Sequence, residues 1–233
     1  MNPNPYKYTG PLDPIKDKLV CIPRTEDLEK VINGIRAGKY WAVLGPRQIG
    51  KSTFLSQLEQ ELSKNTYCLY FNFEISPARD ENNFYKWLMN QFPLEIPAET
   101  SVDTHGWEEF DPHFRFYYFL EKFRPKDLKK KIILLFDEIE RIPQAKNFLH
   151  LWRKVYHDRN RKPELNRYTA VIAGSLDLMQ LTVGPNSPFN IAEKLNLDDF
   201  SYPETQKLVA QPLKVYGIEL EEKARELVIS QTS

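Results

Sequence analysis

The sequence predicts an α/β fold: a parallel sheet covered by helices on both faces. Three observations predict it. Short apolar runs alternate with segments of helical period, the pattern of βαβ units. The run 131–136, Lys-Ile-Ile-Leu-Leu-Phe, is apolar without alternation, as a central parallel strand buried on both faces would be. The run Tyr40–Leu44 leads into a glycine-bounded loop and then directly into a helical segment. In such a fold, ligands sit at the carboxyl ends of the strands.

Taken in order, residues 1–19 form an irregular strap, because Pro3, Pro5, Gly10, Pro11 and Pro14 forbid a long helix. The run 19–22 is short and apolar. Thr25 is the expected N-cap of a helix whose Leu28, Val31, Ile32 and Ile35 share one face, and Gly38 fits its stop. Strand Tyr40–Leu44 follows, then a helix with Phe54, Leu55, Leu58 and Leu62 on its apolar face. A second strand spans 67–73, and 74–83 reads as a polar loop. Phe84, Trp87, Leu88 and Phe92 predict a short helix. Pro93, Pro97 and Gly106 then predict a long loop over 93–106. Phe114, Tyr117, Tyr118, Leu120 and Phe123 mark another helix, and this aromatic group reads as core rather than as a base-stacking platform. After strand 131–136, a helix over about 144–161 is expected to bury Phe148, Trp152, Val155 and Tyr156. Strand 168–173 ends at Gly174-Ser175, and 185–188 reads as a loop. Leu195 and Leu197 predict a last, shorter strand. Ser201 and Glu204 form a capping-box pair that opens a helix carrying Leu208, Val209 and Leu213. Gly217 breaks it, and a final helix starts near Glu221. The implied organisation is a strap over 1–22, a core over 23–200 and the start of a helical unit over 201–233.

The chain has 233 residues, 41% hydrophobic and 27% charged, which is globular composition. Lys+Arg and Asp+Glu are both 32, so bulk charge gives no support for nucleic-acid binding. Cys21 and Cys68 lie in apolar runs and read as buried free thiols, with no metal spacing. His105 and His113 are isolated and are not read as ligands. No apolar run approaches a membrane span, and the N-terminus has no signal pattern. A reduced, cytoplasmic setting is expected.

The chemistry concentrates in Gly45-Pro46-Arg47-Gln48-Ile49-Gly50-Lys51-Ser52, followed by Thr53, which fits the Walker A or P-loop pattern. Gly45 and Gly50 let the backbone curl close to an anion, since neither carries a Cβ. The curled amides and the following helix N-terminus form a phosphate nest. Lys51 supplies a point charge for the terminal phosphates, and the Ser52 hydroxyl can ligate Mg²⁺. Asp137-Glu138 follows the buried run 132–136, the Walker B position. Asp137 is the second Mg²⁺ candidate, and Glu138 is placed to deprotonate an attacking water. Ser175 ends the next strand, where a hydroxyl could contact the γ-phosphate or that water. Arg153, Lys154, Arg159, Arg161, Lys162 and Arg167 form a basic stretch with three open readings. These are a solvated face, a transition-state arginine acting in cis or on a neighbouring subunit, and a patch for nucleic acid or an acidic partner.

With these residues in place, the chain resembles the bacterial AAA-like domain family, common in cyanobacteria and close to the STAND signalling ATPases and the archaeal-type ATPases. The resemblance begins at Tyr8-Thr-Gly10-Pro-Leu12 and Val20-Cys-Ile-Pro-Arg24, and is strongest at Val43-Leu-Gly-Pro-Arg-Gln-Ile-Gly-Lys-Ser52. It returns at Leu134-Leu-Phe-Asp-Glu138, Tyr156-His-Asp-Arg-Asn-Arg-Lys-Pro-Glu164 and Ser187-Pro-Phe-Asn-Ile-Ala192. It implies a three-layer αβα P-loop NTPase core of the ASCE type, followed by a helical lid. Lys51 would then act on phosphates, Ser52 and Asp137 on Mg²⁺, and Glu138 as the catalytic acid, with Ser175 a loose match to the sensor position. The chain stops at Ser233 inside what resembles the lid, so a fragment of a longer protein is expected. The function expected is an ATP-binding, ATP-hydrolysing signalling module that self-associates and drives a fused or downstream effector domain. The alternatives are a nucleic-acid-linked ATPase serving transposition or defence, and a nucleotide-dependent scaffold with little turnover. A motor and a small-molecule kinase rank below these, since neither a translocation channel nor an acceptor pocket is marked.

Overall fold

The computed structural model describes residues 6–7, 10–74, 80–175, 187 and 189–230. The remaining positions include the predicted loop over 185–188 except Ser187, part of the predicted polar loop, and Tyr8 and Thr9; those expectations lie outside the described residues.

Five strands form one parallel sheet: β1 (Tyr40–Leu44), β2 (Tyr67–Asn72), β3 (Ile132–Asp137), β4 (Tyr168–Gly174) and β5 (Ala192–Asn196). Their order is β2-β3-β4-β1-β5, so β4 lies between the strand that precedes the P-loop and the strand that ends in Asp137. In parallel register, Leu44 pairs with Gly174 and Asn72 with Asp137. All strand C-termini therefore meet at one edge.

Side chains alternate between two cores, as the period of two requires. Trp41, Val43, Ile133, Leu135, Val171 and Ala173 face α1 (Thr25–Arg36) and α2 (Lys51–Leu62). Tyr40, Ala42, Leu134, Phe136, Ala170 and Ile172 face α3 (Glu81–Glu95), α4 (Pro112–Lys122) and α5 (Ala145–Asp158). This second core is built of rings. Phe148 packs edge-on against Phe136, Phe73, Phe84 and Trp152. The predicted aromatic group is thus core apart from half-buried Tyr118 and from Phe114, which is 38% exposed because Phe116, Tyr117, Phe119 and Leu120 form the inward face of α4. Gly34 of α1 sits where a Cβ would meet the Trp41 ring at 2.4 Å, so the helix approaches the sheet too closely for any side chain.

Several local expectations are corrected. Thr25 opens α1 as its first helical residue, while Arg24 holds the cap position without a side-chain cap bond. The polar loop ends earlier than expected, since Asp80 caps α3 by accepting the Asn83 N–H at 2.9 Å. Helix α3 runs through Pro93 to Glu95 instead of breaking into a loop. Buried Phe92 and Ile96 pin that last turn, and the Ile96 N–H donates to Phe92 O at 2.8 Å. Helix α5 ends at Asp158 and a 3₁₀ turn covers Pro163–Arg167. Tyr156 and Cys68 are half-buried rather than buried; Cys21 is buried, and both cysteines are free thiols.

Beyond the sheet come α6 (Tyr202–Val215) and α7 (Glu222–Ser230). The Ser201–Glu204 capping box forms, with Ser201 N–H donating to Glu204 Oε2 at 2.8 Å. Gly217 takes a left-handed φ of 66° where α6 stops. Pro212 lies inside α6 and has no N–H for the Leu208 carbonyl. That carbonyl accepts the Tyr6 hydroxyl of the strap at 3.3 Å instead. Gln211 Nε2 donates to Lys18 O at 3.0 Å, and at its other side the strap bonds α2. There, Leu12 N–H donates to Thr53 Oγ1 at 3.1 Å, and Gln57 Nε2 to Ile22 O at 3.2 Å. No helix among the described residues is long and apolar enough to cross a membrane.

Candidate nucleotide site

The loop 45–50 links β1 to α2 at the edge where the strands end. Gly50 has φ +96° and Gln48 φ +65°, both left-handed. For Gly50 this costs nothing; for Gln48 it is a conformation an L side chain rarely takes, held here by the curl of the loop. A Cβ on Gly45 would lie 2.9 Å from Ile49 Cγ2 and 3.0 Å from Leu197 O, so the loop enters its curl against β5's exit. Arg24 buttresses the loop from outside. Its Nη2 donates to Ile49 O at 3.3 Å and its guanidinium lies 4.4 Å over the Phe200 ring.

Lys51 is 6% exposed and turns back into the loop, donating to Gly45 O at 3.0 Å and Pro46 O at 2.7 Å. Burial pushes its ammonium below the ordinary lysine value, against the opposing pull of Glu138, Glu140 and Asp137. Three carboxylates from the end of β3 therefore share the space around the P-loop lysine. Thr53, predicted to bind nucleotide, has its hydroxyl engaged by the strap.

Asp137 is fully buried. Its Oδ1 accepts the Glu138 N–H at 3.0 Å and its Oδ2 accepts the Tyr70 hydroxyl at 2.7 Å. Glu138 itself has φ +56°, a left-handed non-glycine residue at the position predicted to hold the base. Its carboxylate pairs with Arg141 at 3.3 Å across the 3₁₀ turn Ile139–Arg141. Ser175 sits at the same edge, and its N–H donates to Glu140 Oε1 at 2.7 Å. The other Glu140 oxygen is buried with no hydrogen-bond partner. Lys51, Ser52, Asp137, Glu138 and Ser175 are thus brought together by three chain segments.

Among the described residues no cluster of three or more His, Cys, Asp or Glu could hold a metal ion by itself. The donor set here is one hydroxyl and one carboxylate. That fits Mg²⁺, which takes oxygen ligands and is commonly bound by one or two carboxylates plus substrate phosphates.

The basic stretch lies elsewhere. Arg159 Nη1 donates to Gly38 O at 2.7 Å, just before β1 begins, and its guanidinium lies 3.9 Å over Tyr156. Arg167 bonds Glu164 O and Phe123 O. Lys154 pairs with Asp158 and Lys162 with Glu121. Since the strands are parallel, Arg159 and Arg167 stand at the edge opposite the P-loop, so neither reaches the site within one chain. A cleft of about 640 Å³ between α3, segment 98–104 and α4, lined in part by Met89, Trp107 and Phe119, contains none of the predicted site residues.

Sequence reasoning missed Tyr70, Glu140, Arg141 and the buttress role of Arg24. Glu140 and Arg141 had a signal, being two charges in the turn after Asp137-Glu138. Tyr70 had none, because its contact depends on the register between β2 and β3.

Comparison with solved structures finds the same fold. Cdc6p from Pyrobaculum aerophilum aligns with TM-score 0.56 at 13% identity, covering 83% of this chain and 51% of that one. The Aeropyrum pernix ORC1 protein, solved in complex with DNA, gives 0.53 at 14%, covering 87% and 52%. AMPPCP-bound DnaA from Aquifex aeolicus gives 0.50 at 13%, covering 89% and 55%. The chain therefore spans about half the length of these structures. A comparison of the sequence with curated proteins found no match. The AAA-like domain family matches residues 17–230, nearly the whole chain, and with the P-loop at the same strand edge as Asp137 the chain belongs to the AAA-like domain family.

Proposed function

We propose that this chain binds ATP with Mg²⁺ and hydrolyses it, and that nucleotide state is relayed through α6 and α7 to a further domain. The observation that carries the reading is the convergence of Lys51, Ser52, Asp137 and Glu138 at one edge of the sheet. Lys51 leaves the Gly45 and Pro46 carbonyls and donates to the terminal phosphates. Loop amides and the α2 N-terminus receive the remaining phosphate charge. Ser52 and Asp137 would hold Mg²⁺, which would supply positive charge against the phosphates. Glu138 takes the proton of the attacking water as the γ-phosphorus–oxygen bond to ADP breaks, and Ser175 orients that water or the γ-phosphate. The strap over 1–22, the core over 23–200 and the lid from 201 onward are the units that move. Turnover depends on self-association if an arginine is supplied from a neighbour, and the free thiols fit a reduced, cytoplasmic setting. A switch of this kind requires ATP and ADP to favour different arrangements of the lid.

The test is single-turnover ATP hydrolysis with Mg²⁺ over a range of protein concentrations, with Glu138→Gln as control. Turnover that is lost in Glu138→Gln while ATP binding persists supports the reading. Equal turnover in both proteins reassigns the base, and binding without turnover in the wild-type chain favours a nucleotide-loaded scaffold.

A second reading, a nucleic-acid-linked ATPase, draws on the ORC1 structure containing DNA. The basic stretch lends it little, since Lys154, Arg159, Lys162 and Arg167 are engaged within the chain. DNA or RNA binding whose log K falls linearly with log salt would support it; no binding at low salt ends it.

A further inference from the structure

Tyr70 lies on β2 opposite Leu135 of β3, two residues short of the Asn72–Asp137 pair. Tyr70 packs with the core under α2, on the same sheet face as Leu135. Asp137 follows Leu135 by two residues and so points to that face as well. The ring thus runs up the sheet toward the P-loop helix, and its hydroxyl ends 2.7 Å from Asp137 Oδ2. Burial and Asp137 raise the phenol above its ordinary value, while Ser52 pulls it down. One side chain therefore holds the carboxylate assigned to the metal.

We propose that Tyr70 is a positioning residue for the metal-binding pair: its hydroxyl fixes the Asp137 carboxylate so that it and Ser52 face a Mg²⁺–nucleotide complex together. This rests on the P-loop reading above and extends it. With Oδ1 held by the Glu138 N–H and Oδ2 by Tyr70, the carboxylate cannot rotate. An ionised carboxylate offers about four acceptor sites, so about two remain for a metal or its waters. Partners of this kind orient ligands they never replace, and their loss typically costs about 10–100-fold in metal affinity or activity. The competing role is purely structural, a hydroxyl that satisfies a buried carboxylate. That role would alter stability without altering the metal dependence of nucleotide binding.

The experiment is calorimetric titration of ATP into the wild-type chain and Tyr70→Phe, once with Mg²⁺ and once with EDTA. Tyr70→Phe keeps the ring and deletes one oxygen; Tyr70→Met, a second variant without the hydroxyl, guards against a folding effect peculiar to the first. Thermal melts report that each is folded. The expected result is unchanged affinity in EDTA and a Mg²⁺-dependent gain reduced about 10–100-fold in both variants. A Mg²⁺-dependent gain equal to wild type in either folded variant overturns the proposal and leaves the P-loop reading standing. Absence of ATP binding by the wild-type chain overturns both.

Discussion

Lys51→Met separates what the P-loop lysine does for the fold from what it does for the ligand. In the free protein Lys51 donates to Gly45 O at 3.0 Å and Pro46 O at 2.7 Å while 6% exposed. Bonds from a charged donor contribute about 1.5–3 kcal/mol each. Burying an ammonium costs several kcal/mol in the opposite sense. The two nearly cancel, so the variant should melt within about 2 kcal/mol of wild type. The ligand effect does not cancel. At ATP about 100 times its Kd, binding stabilises a folded protein by about 2.7 kcal/mol. For a chain of this size that is about 2–4 °C per kcal/mol, or about 5–11 °C in Tm. The assay is a thermal melt with and without Mg²⁺–ATP. Wild type should show the full shift and Lys51→Met none; a mutant shift above half the wild-type value refutes the reasoning. The lysine also carries a pH signature. Its folded-state value lies below the ordinary 10.5, so the unfolded chain holds more protons between the two values. Stability attributable to Lys51 therefore rises with pH across that window, and Lys51→Met should flatten the rise.

Three further outcomes are expected. Phe148→Ala opens a cavity among Phe136, Phe73, Phe84 and Trp152 and should cost about 3–5 kcal/mol in urea denaturation. Arg159→Ala loses the bond to Gly38 O and the stacking on Tyr156, and should cost about 1–3 kcal/mol. Its ATP turnover per folded molecule should equal wild type, and a drop would move that arginine into the site. His150 is held below its ordinary value of 6.5 by burial and by Lys146 and Arg153, so the unfolded state takes its proton first. Stability should fall as pH drops through 6.5, by less than about 1 kcal/mol at this exposed position, and His150→Gln should remove that component in denaturation curves across pH 5–8.

The parts of this fold legible in the sequence are those written in local pattern. The Gly45–Ser52 spacing, the apolar run 131–136 with Asp137-Glu138 behind it, and the Ser201–Glu204 box are each contained within a few residues, and each falls where expected. Strand order is different in kind. That β4 lies between β1 and β3 depends on how separated segments pack, and no window of sequence holds it. The same holds for Tyr70, which meets Asp137 only through the β2–β3 register. Where a local rule failed, a tertiary contact won. Pro93 should have ended α3, but Phe92 and Ile96 are buried and carry the turn past it. Phe114 should have been core, yet α4 presents Phe116 and Phe119 inward instead.

The proline inside α6 has a consequence for how the molecule opens. A carbonyl left vacant by Pro212 is filled from the strap by Tyr6, and Gln211 adds a second tie at Lys18. The strap is also bonded to Thr53 and Gln57 of α2. The described part of the strap, residues 6–7 and 10–22, thus behaves as a seam sewn to two helices far apart in sequence. Detaching it exposes the flank of α6 and the first turns of α2 in one event. Amide hydrogens of the strap and of α6 should exchange with solvent at a common rate, slower than those of α7, and should slow together when ATP occupies the loop beside Thr53.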